Sequence, residues 1–286
     1  MDIDNFYRRV VYDINFDPSL YLLAAEDGKI LGFVYGIRRK VYDEIKGMES
    51  EQGWIVAMGV QPSRCGQGIG SALLEAIEKQ LKERGTVRLD VGPYGSSYIC
   101  PGIDRECYSK GVEFFANRGY VEGGDSCSMR MDLWGFKVPP QYAEKKKNLE
   151  DRGFIFKPFA REDTLALFSF MEKYFPYWLP LVRSSILHGR AEKTLITALE
   201  KNGEAAGFVL RAMDGTDERF GPFGVRPDLQ GIGLGSVLFH EMMENMIRNR
   251  IFHTYFMWTS GRNLEIYGSW GMKIFRRYAM FHKILS

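Results

Sequence analysis

The sequence predicts an α/β fold built twice in tandem, each copy a mixed sheet flanked by helices, on three observations. The chain has 286 residues and 45% apolar content, more than the roughly 100 to 200 residues of one typical domain. A segment recurs: Val60-Gln61-Pro62 followed by Gly66-Gln67-Gly68-Ile69-Gly70-Ser71 returns as Val225-Arg226-Pro227 followed by Gly231-Ile232-Gly233-Leu234-Gly235-Ser236, displaced by 165 residues (225 − 60). Around both copies the pattern runs in one order: hairpin, glycine cluster, helix, strand, short helix.

In chain order, each copy opens on its hairpin. Residues 21–25 and 30–35 flank Asp27-Gly28, and residues 194–199 and 205–210 flank Asn202-Gly203; such pairs favour tight turns because Gly and Asn tolerate positive φ. After each glycine cluster the apolar period becomes helical. Leu73, Leu74, Ile77 and Leu81 share one face, as do Leu238, Phe239, Met242, Met243 and Met246, the methionines being core packing. Strands are expected at 87–91 and 254–258, then a short helix ending in Arg118-Gly119-Tyr120 or Trp270-Gly271-Met272. Only 31 residues precede Gly32, against 57 from Glu150 to Gly207 (207 − 150), so the first copy is expected to lack an opening strand. Proline and charge mark 138–147 as a linker. The expected organisation is a first domain over 1–135, a linker over 136–149 and a second domain over 150–286.

Lys and Arg total 38 against 36 for Asp and Glu, a net charge of +2, which supplies no broad field for nucleic acid or an anionic membrane. An anionic ligand must be held locally. Residues 1–12 are interrupted by Asp2, Asp4, Arg8 and Arg9, and nowhere do eighteen apolar residues run together, so a cytoplasmic protein with no membrane and no nucleic-acid partner is expected. Cys65, Cys100, Cys107 and Cys127 form no C-x-x-C, and His188, His240, His253 and His282 lie far apart. No metal is expected, and the cysteines read as reduced thiols.

A strand that runs into a glycine-rich turn opening a helix presents unpaired amides and the positive end of the helix dipole to one point, which suits an anion. Alternating glycines remove the Cβ atoms that would hold a diphosphate away. Neither copy is G-x-x-x-x-G-K-[ST], and neither has G-x-G-x-x-G spacing, so nucleoside-triphosphate and Rossmann sites are unsupported.

Gln230-Gly231-Ile232-Gly233-Leu234-Gly235, following a Val-x-Pro strand end, resembles motif A (Q/R-x-x-G-x-G/A) of the GNAT superfamily of N-acetyltransferases. In the first copy Cys65 stands where Gln or Arg is expected, with Arg64 one place early. The resemblance covers nearly the whole chain and implies two tandem GNAT domains, each sheet splayed after the Val60 or Val225 strand, with the pantetheine of acetyl-CoA (coenzyme A) entering the splay. It implies cofactor contacts at Phe223, Val225, Gln230, Gly231, Ile232, Gly233, Leu234, Gly235 and Ser236. The matching first-copy positions are Val60, Gly66, Gln67, Gly68, Ile69, Gly70 and Ser71. The segment from Asn263 to Gly271 resembles the family's cofactor-facing helix, which implies Asn263 toward the cofactor and Tyr267 as proton donor to the departing thiolate.

Aligning Gly119 with Gly271 uses an offset of 152, which sets Gly111 against Asn263 and Phe115 against Tyr267 and leaves 13 extra residues in the first copy (165 − 152). Phenylalanine cannot donate a proton, so the second domain is the better candidate for chemistry. Tyr98 or Tyr108 would have to replace the missing hydroxyl in the first. Glu218 either deprotonates an ammonium through water or is a solvated strand-end charge. Phe175, Tyr177 and Trp178 either wall the acceptor or fill core. The implied function is acetyl transfer from acetyl-CoA to a primary amine of a small molecule or peptide, in a monomer or homodimer. The alternatives are a non-catalytic acyl-CoA sensor, or transfer of a longer acyl group.

Overall fold

The structure, a computed structural model, describes residues 3–43, 46–95 and 99–285. Strands are β1 (Tyr21–Glu26), β2 (Lys29–Arg38), β3 (Gln52–Val60), β4 (Arg88–Val91), β5 (Ile103–Asp104), β6 (Val121–Asp132), β7 (Ile155–Pro158), β8 (Leu195–Leu199), β9 (Ala205–Arg211), β10 (Phe220–Val225), β11 (His253–Thr259) and β12 (Lys273–Ile284). Helices are α1 (Ile3–Phe6), α2 (Ile69–Glu83), α3 (Ser109–Ala116), α4 (Pro140–Asp151), α5 (Thr164–Tyr174), α6 (Leu179–Leu187), α7 (Ala191–Thr194), α8 (Leu234–Arg248) and α9 (Arg262–Ser269).

The chain divides into two compact units that are not contiguous halves. One comprises Met1–Ser128, Met257–Gly261 and Ile274–Ser286, the other Met129–Phe256 and Arg262–Lys273. The sequence expectation cut the chain at 135 and 150; the structure instead assigns the last residues of the chain to the first unit. The reason is β12, whose Phe281, His282, Lys283 and Ile284 pair antiparallel with Val91, Asp90, Leu89 and Arg88 of β4. Tyr278, Ala279 and Phe281 are buried there. Residues 140–149, expected as linker, belong to α4: Pro140 sits at the first helical turn, where its missing N–H costs nothing, and Leu149 is buried in the second core.

The larger sheet has the strand order β1-β2-β3-β4-β12-β6-β11, with β5 on β12. α2 lays Leu73, Leu74, Ile77 and Leu81 on this sheet, packed with Val34, Ile55 and Leu89, while the opposite face carries Val10, Tyr35, Ile37, Trp54, Val56 and Tyr94. In the second unit β10-β9-β8-β7 form an antiparallel sheet, and α8 buries Leu238, Phe239, Met242, Met243 and Met246 against it. Both hairpins form as the sequence indicates, with Ala24 opposite Gly32 in the first and Ala198 opposite Gly207 in the second. Among the described residues no helix is long and apolar enough to cross a membrane, and no group of three or more His, Cys, Asp or Glu is placed to hold a metal ion.

Candidate functional site

The two glycine turns are built alike down to single hydrogen bonds. After the Val60 strand, Arg64 N donates to Gln61 O (2.9 Å) and Cys65 N to Pro62 O (3.4 Å); after the Val225 strand, Leu229 N donates to Arg226 O (3.0 Å) and Gln230 N to Pro227 O (3.3 Å). Cys65 is therefore the structural counterpart of Gln230. Gly66 (φ 79°), Gly68 (84°), Gly231 (85°) and Gly233 (102°) all lie in the left-handed region that favours glycine. Gly68 and Gly233 are the N-caps of α2 and α8, so the amides of Ile69, Gly70 and Ser71, and of Leu234, Gly235 and Ser236, have no partner within their helix.

Each turn sits beside a strand edge that loses its neighbour. β3 pairs with β4 only from Gln52↔Arg88 to Ile55↔Val91, then runs on to Val60. Arg219, just before β10, makes a single parallel bridge with Tyr255, and β10 then runs on to Val225. An edge of unpaired N–H and C=O groups accepts an extended chain of amides as an added strand. Bulges fall where the edges open, between Tyr35 and Gly36 opposite β3 and between Phe220 and Phe223 in β10.

The turns differ in what covers them. A Cβ at Gly66, Gly68 or Gly231 would meet nothing within 4 Å, whereas one at Gly233 would lie 2.4 Å from Lys145 Cδ. The first turn is open. The second is partly roofed by the Lys145 stem, a contact that sequence reading assigned to a linker. Gly235 packs under Phe223 and Trp270, and Gly70 under Phe114 and Met58.

The short helices confirm the pairing of Phe115 with Tyr267. Arg118 N and Tyr120 N both donate to Phe115 O (3.0 and 3.2 Å), as Trp270 N and Met272 N do to Tyr267 O (3.1 and 3.0 Å). The Tyr267 ring is partly buried among Phe256 (4.7 Å), Trp270 (5.6 Å), Phe220 (6.1 Å), Phe239 (6.3 Å) and Phe223 (6.4 Å). That burial holds its phenol well above the ordinary tyrosine range and keeps the proton on. Its hydroxyl has no hydrogen-bond partner among the described residues. Tyr267, Phe223 and Gly235 thus come together at the open edge. Asn263 is exposed on the first turn of α9, with no side-chain bond among the described residues. Glu218 lies at the closed end of the splay, where its carbonyl accepts from Tyr255 N (3.2 Å) and Thr254 Oγ1 (3.1 Å).

Other first-copy positions are engaged differently. Arg64 is tied to Glu26, Gln67 Nε2 donates to Ser63 O (3.3 Å), and Ser71 Oγ accepts from Arg118 (2.6 Å). Tyr108 is 66% exposed, and Tyr98 lies outside the described residues. Phe175 and Trp178 stack on each other (5.5 Å) and pack with Phe208 in the core, leaving Tyr177 exposed.

Fold and turns together define a tandem α/β protein with a glycine turn at a helix N-terminus in each unit. Residues 3–95 match the family model described as acetyltransferase (GNAT) family. An acetyltransferase of Yersinia pestis (strain Pestoides F) is 33% identical over 78 residues, 27% of this chain and 48% of that protein. One of Pectobacterium atrosepticum is 34% identical over 76 residues, 27% of this chain and 47% of that protein. The chain spans about half the length of the curated relatives it matches. Among solved structures, a GCN5-related glucosamine N-acetyltransferase region of a fungal multi-domain β-N-acetylglucosaminidase is similar over 98% of this chain and 34% of that one, with TM-score 0.79 and 20% identity. A tandem GNAT protein from the clavulanic acid biosynthesis pathway is similar over 92% and 82%, with TM-score 0.61 and 14% identity. The chain is similar to these proteins and has their fold in tandem.

Proposed function

We propose that the protein is an N-acetyltransferase that moves the acetyl group of acetyl-CoA to a primary amine of a small molecule or peptide by direct attack. The observation that carries this reading is the glycine turn: free amides at a helix N-terminus, glycines with left-handed φ, and a strand edge beside it with no neighbour. The diphosphate takes the turn and the pantetheine the edge.

In the second unit the cofactor residues are Phe223, Val225, Gln230 to Ser236 and Asn263, with Tyr267 the proton donor to the departing thiolate and Glu218 the base that deprotonates the ammonium through water. The first unit offers Val60 and Gly66 to Ser71 to a second cofactor. Free-thiol release from acetyl-CoA is the test, over tyramine, glucosamine, spermidine and a peptide with a free amino terminus. Thiol release that depends on an amine supports acetyl transfer. Calorimetric acetyl-CoA binding without thiol release over the whole panel would make the protein a sensor instead.

A further inference from the structure

The segment before the first hairpin folds a carboxylate against the open end of the first sheet. Asn15 anchors it: 2% exposed, its Oδ1 accepts from the amides of Lys40 (2.8 Å) and Val41 (3.2 Å), and its Nδ2 donates to the Tyr94 hydroxyl (2.8 Å). Tyr94, also 2% exposed, donates to Asp13 Oδ1 (3.1 Å). Asn15 N donates to the same oxygen (2.8 Å). One carboxylate oxygen is therefore held by two donors, and Oδ2 has no bond among the described residues. Asp13 itself is only half-buried.

A second observation points to a ligand. Tyr35, 1% exposed, packs against Tyr21 and Phe16, and its hydroxyl has no hydrogen-bond partner among the described residues. Leaving such a group unpaired costs about 1 to 3 kcal/mol, so one retained in a core marks a place that something else completes. Tyr94 also fixes the cluster's position along the sheet. Gly92 N donates to Ile55 O (3.0 Å) as β3 and β4 part, and Tyr94 N donates to Gly92 O (2.7 Å). The Tyr94 ring lies 5.3 Å from Trp54 and shares a cluster with Val56, the β3 residue at the bulge. The free edge of β3 therefore begins beside this cluster.

We propose that Asp13 is the general base of an acyl-transfer site in the first unit, serving a primary amine that arrives as an ammonium, with Tyr94 and Asn15 as its positioning residues. This rests on the acyl-CoA reading above. Asp13 Oδ2 takes one proton from the ammonium, and the freed nitrogen attacks the thioester carbonyl carbon, whose π electrons move to oxygen. As the carbonyl re-forms, the C–S bond breaks and the thiolate leaves with the electron pair. The thiolate then takes the second nitrogen proton, giving an amide and free CoA, and the Asp13 proton passes to solvent. In the first unit the attacking nitrogen supplies the proton that Tyr267 supplies in the second, so Phe115 is no obstacle. Burial raises the Asp13 carboxyl above its ordinary value, against smaller lowering by Asn15, Tyr94 and Arg39, which brings it closer to a useful base.

The test measures thiol release over the same amine panel in a Tyr267→Phe protein, which lacks the second unit's donor. We expect that protein to turn over, and Asp13→Asn added to it to lower kcat by about 10²-fold or more with acetyl-CoA Kd moved less than twofold. Asp13→Glu should recover part of the rate. Tyr94→Phe removes a donor to the carboxylate and should move the acid limb of kcat to higher pH, a shift that mere packing loss would not produce; the groups facing Asp13 are Tyr94, Arg39 and Tyr35. Turnover of the Tyr267→Phe protein that ignores Asp13→Asn overturns the proposal. So does loss of all turnover in Tyr267→Phe alone, which would place the chemistry in the second unit and leave the acetyltransferase reading standing. A wild-type protein that releases no thiol with any amine sinks both.

Discussion

Phe115 and Tyr267 close the same backbone turn, yet only one carries a hydroxyl, and their neighbours differ accordingly. Phe115 is 5% exposed and touches Tyr120 (5.0 Å) and Phe281 (6.3 Å); Tyr267 stands at the free edge of β10 among five aromatic rings. If its phenol protonates the leaving thiolate, removing the oxygen alone should leave the cofactor held and slow the chemistry. In a protein already carrying Asp13→Asn, Tyr267→Phe is expected to lower kcat by about 10² to 10⁴-fold, roughly 3 to 5 kcal/mol in the barrier, with calorimetric Kd for acetyl-CoA unchanged. A near-normal kcat would make Tyr267 a packing residue. The Tyr267 alignment was legible because local glycine spacing fixes it. Asp13 was not, because its meaning depends on Tyr94, 81 positions away, and no periodicity records that approach.

At the level of elements, α4 and α8 show how a segment read as linker acquires a role. Tyr142 stacks on His240 (3.7 Å), Lys146 bonds Glu241 (2.8 Å), and Lys145 lies on Gly233. His240 Nδ1 bonds its own helix at Ser236 O (2.7 Å). Burial lowers its pKa below the ordinary 6.5, outweighing the hydrogen bond to Ser236 that raises it, while the Lys145 charge lowers it a little further and Glu241 raises it least. The unfolded chain therefore binds the proton more readily, so His240 contributes stability that is present above pH 6.5 and is lost as pH falls through the lowered folded value. His240→Gln should flatten that part of the stability profile, measured by urea unfolding between pH 7.5 and 5. An unchanged profile would show that the stacked ring titrates freely. Hairpins and amphipathic helices were legible because their signals are local; α4 was obscured because its lysines hide the one buried residue, Leu149, and its leading prolines read equally as a helix start.

For the molecule as a whole, the placement of β12 governs which half depends on which residues. Phe281 packs in the first core with Phe115 and Tyr120, and Lys283 bonds Glu78 of α2 (2.9 Å). Phe281→Ala is expected to cost the first unit about 3 to 5 kcal/mol. Hydrogen exchange should accelerate across α2 while α8 stays protected; equal acceleration in both would contradict the division. Sequence reading found two copies of each motif but could not see this exchange, because strand partners far apart in sequence leave no mark in local patterning. The exchange also sets an order of events at the ribosome. The first sheet cannot acquire the strand beside β4 until β12 has left the exit tunnel. At about 5 to 20 residues per second, roughly 8 to 30 s separate the synthesis of residue 135 from that of residue 286. Through that interval β4 presents a bare edge, and a nascent chain stalled short of β12 should remain open to protease and to chaperones.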